Sequence, residues 1–184
     1  MILPIYAYGS PILRKKCEVI KPDHQDLKEI IANMYETMYE SNGIGLAAPQ
    51  VGLPIRLFIV DGSPVEDIHP EKFIQTFINP QIVDEWGDPW KYEEGCLSIP
   101  TIRENVSRKP ELTIRYLDEN FKKHERSFKG MAARIIQHEY DHLEGKLFVD
   151  HITSLKRNLL KGKLNNISLG RIEHDYKMRF PTKK

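Results

Sequence analysis

The segment MAARIIQHEYDHLEG, residues 131–145, decides how the centre of this chain is organised. Its apolar residues recur with the period of an α-helix, and Gly145 is of the type that ends a helix. The pattern therefore predicts a helix over residues 131–144. The residues expected on its inward face are Ala132, Ile135, Ile136, His142 and Leu143.

The same helix carries the pattern H-E-x-x-H at residues 138–142. Residues four apart share one face of a helix, so His138 and His142 can reach the same metal ion. Glu139 is one step round the helix, where it can contact a water molecule at the metal rather than the metal itself. The alternative is a solvated helix that contains two histidines by chance. The small apolar residues before the motif favour a mononuclear metal hydrolase with Glu139 as general acid/base.

A catalytic metal of this kind needs a third protein ligand. One zinc-protease pattern places a histidine six residues after the second one, but that position is Phe148. Another class uses a downstream glutamate, for which Glu173 is the candidate. Cys96 is favoured instead, because a thiolate beside two imidazoles suits zinc, iron or cobalt. Its alternative is a small buried hydrophobe; Cys17 has no supporting motif and is expected to be structural.

Helices are predicted towards both ends of the chain, with strands between them. The first covers residues 26–39, with Asp23 as its N-cap and Gly43 beyond its end, and the last covers 154–164. The runs that favour strands are RLFIV (56–60), FIQTFIN (73–79), QIVDEW (81–86), LTIRYL (112–117) and residues 125–128. The breaks between them include Gly62-Ser63-Pro64, Asn79-Pro80 and Gly87-Asp88-Pro89. This order predicts an α+β fold: mixed or antiparallel sheets packed around a central helix that carries H-E-x-x-H, with a C-terminal helix.

Length and charge limit the remaining choices. A chain of 184 residues, 40% of them hydrophobic, is expected to form one domain over residues 1–184. Its net charge is +1, yet residues 152–184 hold nine Lys/Arg and two Asp/Glu, a balance of +7. This basic helix or tail is either a solvated surface or a contact for an acidic partner. No apolar run approaches the roughly 18 residues of a membrane span, so no membrane partner is expected. Two cysteines and no export signal predict a cytoplasmic protein.

Three motifs together resemble one known family. They are G-I-G-L-A-A-P-Q at residues 43–50, E-G-C-L-S at 94–98 and Q-H-E-Y-D-H at 137–142. Each is modest alone, and the glycines of the first do not form a dinucleotide fingerprint. In this order and spacing they are similar to the signature motifs of the peptide deformylases, and the resemblance covers most of the chain. It implies hydrolysis of the N-formyl group from N-formylmethionyl peptides, with release of formate.

The resemblance also implies a role for each matching residue. Cys96, His138 and His142 would bind a divalent metal, with iron(II) expected and zinc, nickel or cobalt as substitutes. A water molecule at the metal would attack the formyl carbon, with Glu139 as general acid/base. The Gln50 amide and the Leu97 backbone N–H would stabilise the oxyanion.

Substrate contacts follow from the same match. An apolar methionine pocket is expected, with His138 at its floor and Arg134 near its rim. Its walls would be Ile44, Leu97, Met131 and Ile135. Gly45 would let the peptide backbone approach and pair like a strand, and Arg103 would lie near the peptide path. Glu94 and Arg108 would form an ion pair that orients the cysteine segment, or else a surface pair without consequence.

Two rival interpretations fit the same sequence. One is a metalloendopeptidase built on H-E-x-x-H, against which Phe148 and the E-G-C segment argue. The other is a non-catalytic, metal-stabilised relative that docks on the ribosome, against which the presence of Glu139 argues. The basic C-terminal segment could bring an active enzyme to the ribosome as well, in which case removal of residues 165–184 would weaken that association. No direct binding to DNA is expected.

Overall fold

The computed structural model describes residues 1–65 and 73–181. The helices are α1 (Leu27–Glu40), α2 (Gly130–Leu143) and α3 (Ser154–Ser168). The strands are β1 (Ile5–Tyr6), β2 (Gly45–Ala47), β3 (Leu57–Asp61), β4 (Ile74–Trp86), β5 (Trp90–Cys96), β6 (Ile99–Arg108), β7 (Glu111–Leu117), β8 (Lys123–Lys129) and β9 (Met178–Arg179). Among the helices described, none is both long and apolar enough to cross a membrane.

The strands form three sheets. The largest has the order β2-β3-β4-β7-β8, and all its neighbours are antiparallel. Strands β5 and β6 form an antiparallel hairpin, and the short strands β1 and β9 pair in parallel. The predicted α+β class is therefore confirmed.

Helix α2 packs its apolar face on the large sheet. Ala133, Ile136 and Leu143 share a buried cluster with Phe58 and Phe77 of the central strands. The helix begins and ends one residue earlier than predicted, and Ala132 is only partly buried, so the inward position belongs to Ala133. Successive residues of a helix point about 100° apart, so Ala133 faces the sheet while Ala132 lies towards the edge of that face.

The break predicted at Asn79-Pro80 is wrong, because β4 runs without interruption from Ile74 to Trp86. The pairing with β7 shifts register between Ile78 and Gln81, which marks a β-bulge. Asn79 has a φ of +50° there, and its side-chain amide forms two 2.8 Å hydrogen bonds with the backbone of Ile20. A bulge leaves a residue outside the ladder, so Pro80 can be tolerated within a long strand.

Other boundaries also differ from the sequence-based predictions. The residue before α1 is Asp26 rather than Asp23. Helix α3 continues four residues beyond its predicted end, to Ser168. The additional turn places Ile167 in the buried core. Strands β1, β2, β5, β6 and β9 were not among the predicted strands.

The C-terminal segment does more than extend the basic helix. After α3 the chain returns to place β9 beside β1, where Ile5 pairs with Met178. Residues 182–184 of the predicted basic tail lie outside the described residues.

Candidate active site

Helix α2 and the end of β5 bring together three side chains that could bind a metal ion. One donor atom from each of Cys96, His138 and His142 lies within 4.8 Å of the other two. Cys96 Sγ and His142 Nε2 are 3.4 Å apart. Zinc-like bonds of about 2.3 Å to sulfur and 2.0–2.1 Å to nitrogen, at a tetrahedral angle, put such atoms roughly 3.5 Å apart. The donor set and its spacing therefore fit one divalent ion.

Glu94 fixes the orientation of the first histidine. His138 Nδ1 lies 3.0 Å from Glu94 Oε2. Burial alone would raise the pKa of Glu94, but hydrogen bonds from His138 and Arg108 hold that pKa far below its usual range. The ionised carboxylate can only accept, so Nδ1 is the donor in this contact and Nε2 is the ring nitrogen that remains to face a metal. Burial also lowers the pKa of His142, which favours the neutral imidazole that metals bind.

The ion pair expected between Glu94 and Arg108 is present and buried. Arg108 donates through Nε and Nη2 to the two Glu94 oxygens, at 2.7 and 3.0 Å. Its Nη1 donates to Asp141, whose carboxylate also lies 2.7 Å from His151 Nε2. Because Asp141 is in the H-E-x-x-H helix, Arg108 links that helix to the strand that supplies Cys96.

The prediction that Arg134 lies near the rim of the pocket is wrong. Its side chain is 2% exposed and donates to Glu94 Oε1 at 2.6 Å and to the Trp90 carbonyl at 2.7 Å. The guanidinium also lies 4.3 Å from the centre of the Trp90 ring. A carboxylate, a carbonyl and an aromatic ring of β5 therefore all contact the Arg134 guanidinium. These contacts hold the side chain inside the wall of the pocket.

Glu139 is buried beside this group, without a full set of hydrogen-bond partners in the described part of the chain. Only 5% of the residue is exposed, and Oε2 has no hydrogen-bond partner among the described residues. Burial raises the pKa of Glu139 to about 7. A Cβ on Gly45 would lie 2.5 Å from Glu139 Oε1, so only glycine leaves room for this carboxylate. From the sequence, Gly45 was expected only to let the substrate backbone approach, and its contact with Glu139 was not predicted.

The side-chain amide of Gln50 lies close to Cys96. It lies in the 3-10 turn Ala48–Val51, and its Oε1 accepts a 2.8 Å hydrogen bond from the Ala47 N–H. Its Nε2 then faces Ser98 Oγ at 3.2 Å and Cys96 Sγ at 3.5 Å. Ser98 was not singled out from the sequence, although its place inside E-G-C-L-S was a signal.

A cavity of about 910 Å³ opens onto these groups. Gly45, Gln50, Cys96, Glu94, His138 and Glu139 all line it. So do the residues predicted for substrate binding: Ile44, Leu97, Arg103, Met131, Arg134 and Ile135. Arg103 is exposed and pairs with Glu93 at 2.8 Å. His142 is the predicted ligand that lies behind this lining.

The C-terminal segment 173–176 also lines the cavity. Glu173 is part of it but does not belong to the group of potential metal ligands, in which Cys96 takes the third place. The Tyr176 hydroxyl donates to the Leu97 carbonyl at 2.7 Å. Nothing in the local sequence around Tyr176 signals this contact, because its partner lies 79 residues away.

Comparisons with known proteins agree on one family. The model of the family described as polypeptide deformylase matches residues 2–158. A peptide deformylase of Christiangramia forsetii is 54% identical over 100% of this chain and 98% of its own length. One from Cytophaga hutchinsonii is 53% identical over the full length of both chains.

Solved structures give the same result. The crystal structure of a peptide deformylase from Legionella pneumophila superposes with a TM-score of 0.82 at 34% identity, over 93% of this chain and 98% of the other. A peptide deformylase from Plasmodium falciparum gives a TM-score of 0.81 at 38% identity, over 90% and 95% of the two chains.

Proposed function

The chain belongs to the polypeptide deformylase family, enzymes that remove the N-formyl group from nascent peptides, and we propose which of its residues carry out that reaction. The observation that carries the proposal is the group Cys96, His138 and His142 with the buried carboxylate of Glu139 beside it. All of residues 1–184 would act as one catalytic domain, which we expect to work in the cytoplasm.

The metal ligands in this proposal are Cys96, His138 and His142. Iron(II) is the ion we expect, and zinc, nickel or cobalt would suit the same thiolate and imidazole donors. When bound, such an ion would supply Lewis-acid chemistry, which polarises a carbonyl oxygen and lowers the pKa of a water molecule. Glu94 holds His138 in the tautomer that ligation requires, and Arg108 holds Glu94.

Glu139 moves the proton in the proposed reaction. It takes a proton from the attacking water and passes one to the departing amine, the two roles of a general acid/base. A pKa near 7, caused by burial, suits both roles at neutral pH. Its Oε2, which has no hydrogen-bond partner within residues 1–65 and 73–181, would accept that proton.

Two hydrogen-bond donors of the chain would stabilise the developing oxyanion: the Gln50 side-chain amide and the Leu97 backbone N–H. Gln50 is supported by the Ala47 N–H, which fixes the amide so that its NH₂ faces the cavity side. Donors held in place before the reaction need no reorganisation when charge develops.

Methionine would occupy the apolar part of the cavity, against Ile44, Met131 and Ile135. The peptide that follows would pass β2, an edge strand of the large sheet that contains Gly45. An edge strand offers unpaired backbone groups to an added strand. Arg103 would lie along that path.

Formate release from formyl-Met-Ala tests this assignment. Glu139→Gln keeps the shape of the side chain but cannot accept a proton, so turnover should fall about 10²–10⁴-fold while the bound metal is retained. Glu85→Gln makes the same chemical change on an exposed residue of β4 and should leave turnover unchanged. Cys96→Ala should lose both metal and turnover.

Two results would overturn the assignment. Cleavage of an internal peptide bond without release of formate would favour the metalloendopeptidase alternative. A Glu139→Gln variant as active as the wild type would remove Glu139 from the mechanism, and a wild type with bound metal but no hydrolysis would favour the non-catalytic relative.

We further infer that α3 is the surface that meets the ribosome. Leu155 and Leu159, one turn apart, are 70% and 77% exposed, and Arg157 and Lys161 are exposed on the same helix. A basic surface with apolar residues suits an acidic, RNA-containing partner. Removing residues 165–184 is a poor test, because it deletes buried Ile167 and the Tyr176 contact with Leu97.

Charge reversal on α3 tests this inference without disturbing the core. Arg157→Glu with Lys161→Glu should weaken cosedimentation with ribosomes and leave hydrolysis of formyl-Met-Ala unchanged. The control, Lys123→Glu with Lys129→Glu, makes the same change of charge on β8 and should cosediment like the wild type. Equal binding by both double variants would refute a role for α3.

A further inference from the structure

The residues between β5 and β6 form a two-residue turn, Leu97-Ser98, closed by the pairing of Cys96 with Ile99. Both carbonyls of this turn accept hydrogen bonds from distant parts of the chain. The Leu97 carbonyl accepts from the Tyr176 hydroxyl at 2.7 Å, and the Ser98 carbonyl accepts from the Tyr8 N–H at 2.8 Å. The turn is therefore held from outside its own hairpin.

The two donors come from the two ends of the described chain, which are joined to each other. The Ile5 N–H donates to the Lys177 carbonyl, and the Ala7 N–H to the Arg179 carbonyl, each at 2.9 Å. Further along, Phe180 packs against the buried cluster that contains residues of β6. The parallel pair β1–β9 thus anchors the segment that carries Tyr176.

Tyr176 has the properties of a fixed hydrogen-bond donor. Its side chain is partly buried, and burial raises the pKa of its hydroxyl above the usual value, so the proton is retained at neutral pH. Its position lies beyond residues 2–158, the part matched by the family model, yet it lines the cavity. The polypeptide deformylase pattern itself therefore does not contain this group.

We propose that Tyr176 is a positioning residue for the hydrolysis, acting through the turn Leu97-Ser98. By fixing the Leu97 carbonyl it restricts rotation of the backbone around Leu97, and so holds the Leu97 N–H in the direction of the substrate. This inference rests on the proposed role of the Leu97 N–H as an oxyanion donor. A donor free to rotate would stabilise the transition state less than one already aligned.

The variant Tyr176→Phe tests the proposal, because it removes the hydroxyl and leaves the ring. With formyl-Met-Ala, kcat should fall about tenfold, the effect of one hydrogen bond that matters only in the transition state. KM should stay within about twofold, because ground-state binding does not use this bond. Metal content per chain should equal that of the wild type.

A matched variant controls for the simple loss of a tyrosine hydroxyl. Tyr35 is also partly buried, its hydroxyl lies 3.2 Å from Thr76 Oγ1, and neither residue lines the cavity. Tyr35→Phe should therefore leave kcat and KM unchanged. Thermal unfolding of both variants shows whether either effect comes from a smaller folded fraction.

Four outcomes would overturn the proposal for Tyr176. They are an unchanged kcat, a rise in KM alone, a fall in kcat that only follows loss of metal, and a fall in kcat that only follows loss of folded protein. Failure of the proposed function looks different, because the wild type itself would then release no formate.

Discussion

At the scale of single residues, Glu139 combines three properties in one carboxylate. It is buried, one of its oxygens has no partner among the described residues, and the backbone of Gly45 lies against it. A buried polar group without a partner costs free energy, so its presence in a cavity indicates a functional use. Gly45 and Glu139 are 94 residues apart in sequence, yet the identity of one depends on the position of the other.

Gly45→Ala should displace the Glu139 carboxylate. The added Cβ would lie 2.5 Å from Oε1 and 2.9 Å from Cδ and Cγ, so the whole end of the side chain must move. We expect kcat to fall at least about tenfold with metal content unchanged, because displacement of the proposed acid/base group would lower the rate steeply. Steady-state formate release measures this effect.

The matched control is Gly162→Ala, in α3. A Cβ there meets no atom of the described residues within 4 Å, so activity should be unchanged, and stability should rise by about 0.5–1 kcal/mol. If Gly45→Ala is as active as the wild type, the carboxylate does not need its present position.

Cys17 should be unreactive in the folded protein. Burial, the largest cause, raises the pKa of its thiol to about 11. Since a raised pKa favours the neutral form, only about one thiol in 10³ is ionised at pH 8, and the thiolate is the reactive form. Iodoacetamide at pH 8 should therefore modify Cys17 only after unfolding in urea, where the pKa returns to about 8.5. Peptide mass spectrometry reads the site, and fast labelling of the folded chain would contradict this expectation.

At the scale of elements, β4 shows how one residue can turn an apparent break into a bulge. Asn79 and Pro80 are typical turn residues, and a local pattern contains no information about the strands on either side. In the structure β3 and β7 flank β4, and the Asn79 side chain bonds Ile20 in a distant segment. These tertiary contacts outweigh the local preference for a turn.

Asn79→Ala should lower the free energy of unfolding by about 2–3 kcal/mol. Two hydrogen bonds to Ile20 are lost at about 1 kcal/mol each, and alanine tolerates a φ of +50° poorly. Asn79→Gly loses the same hydrogen bonds but adopts this φ freely, so it should be less destabilised. Urea unfolding measures both variants. Equal stability of Asn79→Ala and the wild type would show that the side-chain bonds to Ile20 contribute nothing.

At the scale of the whole molecule, the proposed metal would connect two parts of the chain that are distant in sequence. Cys96 belongs to the hairpin β5–β6, and both histidines belong to α2. The Glu94–Arg108–Asp141 network already links these parts through buried ion pairs. A ligand that binds only the folded state adds stability according to its affinity.

Removal of metal should therefore lower the thermal stability of the wild type. Saturation at about 1,000 times Kd corresponds to about 4 kcal/mol, which a chelator would remove. Glu139→Gln, which keeps all three ligands, should show the same decrease in Tm on chelation. Cys96→Ala should show little or none. Scanning calorimetry with and without EDTA measures this, and an equal decrease for Cys96→Ala would exclude Cys96 as a ligand.

The sequence by itself predicted much of this protein. Helix periodicity placed α1 and α2 to within one residue, and the spacing of His138 and His142 put both on one helix face, because local geometry alone decides such features. Three short motifs also identified the family, since together they are specific although each is weak. Strand existence in β3, β7 and β8 followed from β-favouring residues between turns.

Only the tertiary structure decided how these pieces meet. It placed Arg134 inside a wall, set Gly45 against Glu139, and brought Tyr176 to the Leu97 carbonyl. Each of these depends on contacts between residues about 40 or more positions apart, for which a local pattern contains no signal. Helix α2 thus fixes the positions of the two histidines, whereas the large sheet, the hairpin β5–β6 and the paired strands β1 and β9 determine what surrounds them.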